Sequence, residues 1–219
     1  DLLAPTEDNI SVTSINDEVS GKKIAVPDAG VATHAVVVCK GANGVDLRLV
    51  ELNQENCIST NQDNIDESRG HFSLEFNKAK SQLIGEAGNG WELLQSILNQ
   101  AAVLFSFEQI GGAQASLDMA NNYAKERFAF GRAIGSYQAI KHKLADMYIS
   151  ITLAKSNSFY GAWALLTDSS ELAVAAATAR VSSTEAFQFC SKENIQTHGG
   201  NGFTWEYDCH LYYRRSKLL

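Results

Sequence analysis

The closing stretch Asn194–Leu219, NIQTHGGNGFTWEYDCHLYYRRSKLL, breaks a long helical pattern on His198-Gly199-Gly200-Asn201-Gly202 and resumes at once with aromatics, acids and Arg214-Arg215. One glycine is enough to end a helix, because a residue without Cβ turns left-handed at no steric cost just past the C-cap. Three glycines in four positions imply that something lies close against bare backbone. Either another helix or the phosphate of a ligand would need that space.

Working back from this break, the hydrophobic period stays helical as far as Gly85-Glu86-Ala87-Gly88-Asn89-Gly90, and both prolines of the chain fall before that point. The spacing predicts helices over Trp91 to about Arg127, Ser136 to Leu166, Asp168 to Thr197, and from near Glu206. Ser136 and Asp168 are the expected N-caps, since each side chain accepts a bond from an otherwise unpaired first-turn amide. Ile140, Leu144, Met147 and Ile151 recur at intervals of three and four and form one apolar stripe. Ala173, Ala175, Ala176, Ala177 and Ala179 let neighbouring helices approach closely. Stripes of this kind bury themselves in a bundle.

Before Gly85 the pattern is that of strands: Ile24 to Val26, His34 to Cys39, Leu47 to Leu52, and the alternating Phe72, Leu74 and Phe76. Gly41-Ala42-Asn43-Gly44 reads as a hairpin loop, Ser20-Gly21 as a turn, and Asn53 to Arg69 as a loop. The expected fold is therefore α+β, an antiparallel β-domain over residues 1–84 followed by an up-down four-helix bundle over residues 85–219.

The 219 residues are 45% hydrophobic and 20% charged, and no apolar run approaches the roughly 18 residues of a membrane span. A formal net charge of −7 argues against a surface for nucleic acid, which is held by clustered Lys and Arg. Neither a membrane nor a nucleic acid is an expected partner. Asp1-Leu2-Leu3-Ala4-Pro5 shows neither an initiator Met nor a signal pattern, so the sequence reads as an internal piece of a longer protein. Cys39, Cys57, Cys190 and Cys209 form no CxxC pair and no metal-like spacing with His; buried reduced thiols in a cytoplasmic protein are expected, and no metal.

Chemistry concentrates in two places. Between the first and second helices stands Glu126–Met147, ERFAFGRAIGSYQAIKHKLADM. Arg127 ends one helix, Phe130-Gly131 and Gly135 make the turn, and Gln138 opens the next. An Arg beside free helix N-terminal amides makes an anion site, to which Gln138 adds donors. The plainer alternative is a helical hairpin with a solvated Arg. The second place is the glycine-rich break itself.

Together, RFAFGRAIGSYQAIKHKLADM and QTHGGNGFTWEYDCHLYYRR resemble the acyl-CoA dehydrogenase family of flavoenzymes, and GKKIAVPDAGVATHAVVV is similar to the strand pair of its middle β-domain, so that the likeness runs from Thr6 to Leu219. The resemblance implies a three-part subunit in which an N-terminal helical domain precedes the two parts seen here. It implies FAD between β-domain and bundle, its adenosine-diphosphate end also gripped by the bundle of a neighbouring subunit. By the same likeness Arg127, Phe130 and Gln138 face that neighbour's FAD, as do Gln196, His198, Gly199 and Gly200. The implied reaction is α,β-desaturation of an acyl-CoA thioester in a homo- or hetero-oligomer, dimer or tetramer, that passes electrons to an electron-transfer flavoprotein-like acceptor.

In the family a glutamate removes the α-proton. One position for it lies just past Leu219, and the other corresponds to Ala101. Glu108 shares nearly the face of Ala101 but sits about 10.5 Å further along the helix at 1.5 Å per residue, so a structural carboxylate paired with a cation of a facing helix is expected there. The catalytic base is not assigned. Asn99 and Ala102 replace the Asp and Arg that orient acyl-CoA in many relatives. Ala25 and Pro27 stand where an aromatic and a hydroxyl residue meet the flavin ring, and Thr6-Glu7 lacks the glycine-serine that normally follows.

Three functions follow: a desaturating acyl-CoA dehydrogenase subunit; a non-catalytic structural subunit that completes a partner's FAD site, as in mixed assemblies resembling those that degrade steroid side chains in bacteria; and a bare helical interaction module. Trp163 and Trp205 are expected in the core or an interface. His142 is expected packed or solvated, Asp146 in an ion pair, and Arg214-Arg215 on a solvated face or paired with acidic residues of a partner.

Overall fold

A computed structural model describes residues 6–219. They form two compact units, one up to Ile97 and one from Leu98 onward.

The first unit is a six-stranded sheet: β1 (Thr13–Ile15), β2 (Glu18–Pro27), β3 (His34–Gly41), β4 (Gly44–Glu51), β5 (Cys57–Gln62) and β6 (His71–Ile84). The order is β2-β1-β3-β4-β6-β5, and the long β6 also pairs with β2, which closes the sheet on itself. All ladders are antiparallel except the single Thr13↔Lys40 pairing of β1 with β3. Gly41 and Gly44 face each other at the end of the β3–β4 hairpin, as expected. Ser20-Gly21 is not a turn. Gly21 lies within β2 at a register shift, with φ of 130° and a position where a Cβ would meet Val12 Cα at 3.0 Å. The turn is Asn16-Asp17, both left-handed, as a two-residue hairpin requires. The expected loop over Asn53 to Arg69 contains β5, a polar strand on the sheet edge with no buried residue and hence no apolar alternation.

Alternation along β4 sends Val50 and Leu52 into the core formed with Val12, Val19, Val37, Leu74 and Phe76. The same face carries Asp46 and Arg48, both buried. Arg48 reaches Asp46 at 3.2 Å and Asp17 at 2.6 Å. Asp46 also accepts from the Ser14 hydroxyl and the Gly88 amide, each at 2.9 Å.

The second unit is built from α1 (Gly90–Glu126), α2 (Gln138–Leu166), α3 (Leu172–His198) and α4 (Cys209–Leu218). Its up-down topology can be read from side-chain partners. Gln109 with Thr184 and Met119 with Asn194 are each 75 positions apart, and Phe105 with Arg180 and Tyr123 with His198 keep the same offset, so α1 and α3 run parallel. Partners on α2 run the other way, Lys143 to Glu193 near one end and Gly161 to Ala179 near the other. Antiparallel α4 ties Ser216 to Ser191. Met147 and Ile151 of the expected stripe are buried. Ala175, Ala176 and Ala179 are buried too, the last 3.3 Å from where a Cβ on Gly161 would stand, whereas Ala173 and Ala177 face outward.

Neither expected N-cap holds. Ser136 closes a 3₁₀ turn by donating to the Ala133 carbonyl, and α2 starts after Tyr137. Asp168 adopts φ of 49° just past the end of α2, the left-handed role otherwise given to glycine, and α3 starts only at Leu172. Asp146 is exposed and makes no ion pair among the described residues. Cys39, Cys190 and Cys209 are buried reduced thiols; Cys57 is partly exposed. Burial pushes the Cys39 and Cys209 thiols up to about 11 and that of Cys190 to about 12, so none is a nucleophile at neutral pH.

Candidate functional site

The up-down topology brings the end of α1, the start of α2 and the end of α3 to one end of the bundle. Arg127 follows α1, its amide bonded to the Tyr123 carbonyl at 2.9 Å, and its exposed side chain makes no ion pair among the described residues. The chain then forms a two-strand hairpin, β7 (Phe128–Ala129) and β8 (Arg132–Ala133), with Phe130 and Gly131 at its tip at φ of 53° and 80°. Phe130 is 97% exposed. The hairpin is held against α2: Tyr137 donates to the Ala129 carbonyl at 3.0 Å, and the Arg132 guanidinium lies 3.9 Å over the Tyr137 ring. Gln138 is the exposed first residue of α2, and no side chain caps that first turn. The Ile140 and Lys141 amides bond to the Tyr137 carbonyl, each at 3.1 Å, which leaves those of Gln138 and Ala139 open to an anion.

Tyr123 joins this hairpin to the glycine-rich turn. Its ring stacks on His198 with centroids 4.1 Å apart, and its hydroxyl accepts from Asn201 at 3.0 Å. Residue type alone did not single out Tyr123; only the constant offset between α1 and α3 makes it the partner of His198. His198 itself is buried, with Nδ1 donating to the Asn194 carbonyl at 2.9 Å, and burial pulls its pKa below the ordinary value. It therefore sits inside the turn, neutral, while the other six expected residues stand at the surface.

The three glycines of the turn stand in different surroundings. Gly199 has φ of 61°, a conformation that ends α3. A Cβ on Gly202 would meet the Ile195 carbonyl oxygen at 2.6 Å, so this glycine answers to a neighbouring helix. Gly200 has no positive φ, and a Cβ there would meet nothing within 4 Å. Nothing within the chain requires Gly200 to be bare. Gln196 opens beside it onto a groove of about 430 Å³, whose wall includes Phe203, Trp205, His210 and Arg214. The Trp205 ring lies 4.6 Å from the His210 ring and 5.2 Å from the Arg214 guanidinium, so this aromatic is a groove wall and not core. Arg215 turns the other way and donates to Glu108 at 3.1 Å, the cation-paired carboxylate expected of Glu108.

The groups present suit the phosphate region of a dinucleotide: this end of the bundle carries an unpaired guanidinium, uncapped helix amides, an amide side chain and open main chain. The β-unit fits a flavin ring less well. The Ala25 amide is already taken by Gln62 Oε1 at 2.9 Å, and Pro27 has none. Among the described residues no group of three or more His, Cys, Asp or Glu is arranged to hold a metal, and no helix is long and apolar enough to cross a membrane.

Residues 88–219 match the acyl-CoA dehydrogenase C-terminal domain family. Among curated proteins the chain is 43% identical over 122 residues to acyl-CoA dehydrogenase IpdE2 of Mycobacterium tuberculosis, a match covering 55% of this chain and 36% of that protein. The chain thus spans little more than a third of that relative. Among solved structures it is similar to butyryl-CoA dehydrogenase from Megasphaera elsdenii, with a TM-score of 0.87 at 24% identity over 94% of this chain and 57% of that one. A variant of the Tcur3481–Tcur3483 steroid ACAD gives 0.85 at 26% identity, over 94% and 56%. The match over residues 88–219 takes in more than half of the chain, and the chain belongs to the acyl-CoA dehydrogenase family.

Proposed function

We propose that this chain is a subunit of an oligomeric, FAD-dependent acyl-CoA dehydrogenase, and that its bundle completes the FAD site of a neighbouring protomer. Bound there, FAD would supply the hydride-accepting chemistry for desaturation of the acyl-CoA thioester. The chain's own groups bind and orient: Arg127 and the first-turn amides of α2 neutralise phosphate charge, Gln138 and Gln196 donate side-chain hydrogen bonds, and Phe130 offers an apolar surface. Gly199 and Gly200 leave main chain open to close approach. His198 holds the turn in shape from within. The observation that carries this reading is Gly200, bare without internal cause on the same end of the bundle as the unpaired Arg127.

Within that reading, the role of a structural subunit in a mixed assembly is favoured over a self-sufficient enzyme. Glu108 is bound to Arg215, position 101 is alanine, and the β-unit amide at residue 25 is occupied by Gln62. A steroid-derived or similarly bulky acyl-CoA is the proposed substrate class, by likeness to the steroid ACAD, and an electron-transfer flavoprotein-like protein is the proposed acceptor. The test is flavin content of the full-length protein, purified alone and with its partner subunit, as Gly200→Val and Arg127→Ala variants. Both should lower bound flavin in the assembly about tenfold or more, the scale of one charge-assisted hydrogen bond, while helical circular dichroism stays unchanged. Unchanged flavin in both variants would return the chain to the bare interaction module; flavin that bleaches with acyl-CoA in the lone chain would make it a complete enzyme.

A further inference from the structure

The glycines that leave the turn between α3 and α4 bare also leave it without anchors of its own. Three glycines among four positions lose the most backbone freedom when they are ordered. A Cβ at Gly199 or Gly200 would meet nothing within 4 Å, so neither position is wedged against a neighbour. In Gly199–Phe203 the one polar side chain is Asn201, whose amide makes a single hydrogen bond among the described residues, to the Tyr123 hydroxyl at 3.0 Å. On the other side of Gly199-Gly200, His198 stacks on the Tyr123 ring with centroids 4.1 Å apart and planes 27° from parallel. The bare main chain is thus strung between two contacts of one residue. Tyr207 closes around both rings, edge-on to Tyr123 at 5.8 Å and to His198 at 5.3 Å.

The main chain of Tyr123 holds the other stretch. Its carbonyl accepts the Arg127 amide at 2.9 Å, and the Arg127 carbonyl accepts the Ile134 amide at 2.8 Å beside the β7–β8 hairpin. We infer that Tyr123 is a positioning residue for the dinucleotide: with its side chain on the turn and its main chain on Arg127, it fixes Gly200 relative to the base of the Arg127 side chain before the cofactor arrives. The reason is entropic. A turn already ordered by the fold binds without the ordering cost that would otherwise be subtracted from affinity. Tyrosine suits the task, since a phenylalanine ring would stack on His198 but only a hydroxyl can accept from Asn201. The inference rests on the function proposed above and adds to it a residue outside those assigned to the cofactor.

The full-length protein in its native assembly, stripped of flavin and then titrated with it, tests the inference in two readouts. Without flavin, amide exchange in Gly199–Phe203 should rise about fivefold in Tyr123→Phe, while residues 128–133 keep their protection because the main-chain bonds remain. With flavin, Tyr123→Phe and Asn201→Ala should each weaken binding about fivefold, the scale of one neutral hydrogen bond. The double variant should bind no worse than either, since both changes remove the same bond. Tyr123→Leu, which also removes the stack on His198, should lose about a further fivefold. A residue that merely stabilised the bundle would lower the melting temperature and leave flavin affinity alone. That outcome, losses that add in the double variant, or unchanged exchange in the turn would each overturn the inference. If Tyr123→Phe leaves flavin affinity unchanged while Arg127→Ala lowers it, Tyr123 loses this role and the function proposed above stands; if neither variant changes it, both fall.

Discussion

The sheet and the bundle both bury polar groups, but of opposite kinds. Inside the sheet a charged pair, Asp46 and Arg48, is closed in with Ser14 and the Gly88 amide, and Arg48 reaches out to the exposed Asp17. Between α1 and α3 the buried polar groups are neutral: Gln109 gives its amide to Thr184 at 2.8 Å and takes the Ser183 hydroxyl at 2.9 Å. A buried charge is tolerable only while every partner stays in place, because the cost of leaving it alone exceeds the gain of pairing it. A buried hydroxyl can fall back on a helix carbonyl. The sheet is thus brittle at one point, and the bundle redundant.

The sharpest way to break that contrast is Arg48→Ala. It strands the Asp46 carboxylate with only the Ser14 hydroxyl and the Gly88 amide, and should cost about 3 kcal/mol, the lower end for removing one member of a buried pair. Hydrogen exchange reads it locally. Amides of β3 and β4 should lose protection while those of α1 and α3 keep theirs; equal loss in both units would mean that the charge pair does not act locally.

The same contrast explains what was legible from residue order. Helices announced themselves through apolar residues at intervals of three and four, and the two stretches proposed to face the cofactor through residue types that have few other reasons to stand together. The edge strand β5 did not, since Cys57–Gln62 pairs through its backbone and exposes its polar side chains. Asp168 was ambiguous in principle: its carboxylate suits a helix start, and its tolerance of left-handed φ suits a helix end, and only the backbone decides. The Asp46–Arg48 pair was not legible, because Val45, Leu47 and Leu49 alternate with it and mark the opposite face as the buried one, whereas β4 is buried on both. A charged pair on an inward face carries no signature of its own. At the site, the surface positions followed from the resemblance, whereas the burial of His198 depends on Tyr123, a contact that no local pattern encodes.

Acid should separate the two units in order. Burial lowers the pKa of His198, outweighing the Asn194 carbonyl that favours its charged form, so the unfolded chain takes up the proton first. Its contribution is complete above the ordinary value of 6.5 and is lost as pH falls from there through the lower folded value. For Asp46 burial acts upward, but the Gly88 amide, the Ser14 hydroxyl and Arg48 together outweigh it and hold the carboxyl below 3.8. That contribution is complete above 3.8 and disappears only as pH falls through the still lower folded value. Exchange measured at about pH 5.5 should therefore show loosening at the end of α3 with β4 intact, and only near pH 3 should β4 follow. Loosening of β4 first would reverse the assignment.

The smallest effect is the most informative about redundancy. Gln109→Leu removes both side-chain bonds of the α1–α3 contact, yet Ser183 still has the Ala179 carbonyl and Thr184 the Arg180 carbonyl, at 2.6 and 2.8 Å. No buried group is left without a partner, and the leucine side chain fills most of the glutamine volume. The expected loss is about 1 kcal/mol or less in a urea titration followed by helical circular dichroism, with an unchanged m-value. A loss as large as that of Arg48→Ala would show that the amide sets the pairing of α1 with α3. The constant offset of 75 residues would then rest on one hydrogen-bonded layer, and not on the Phe187 ring that packs where a Cβ on Gly112 would stand, 2.4 Å from its edge.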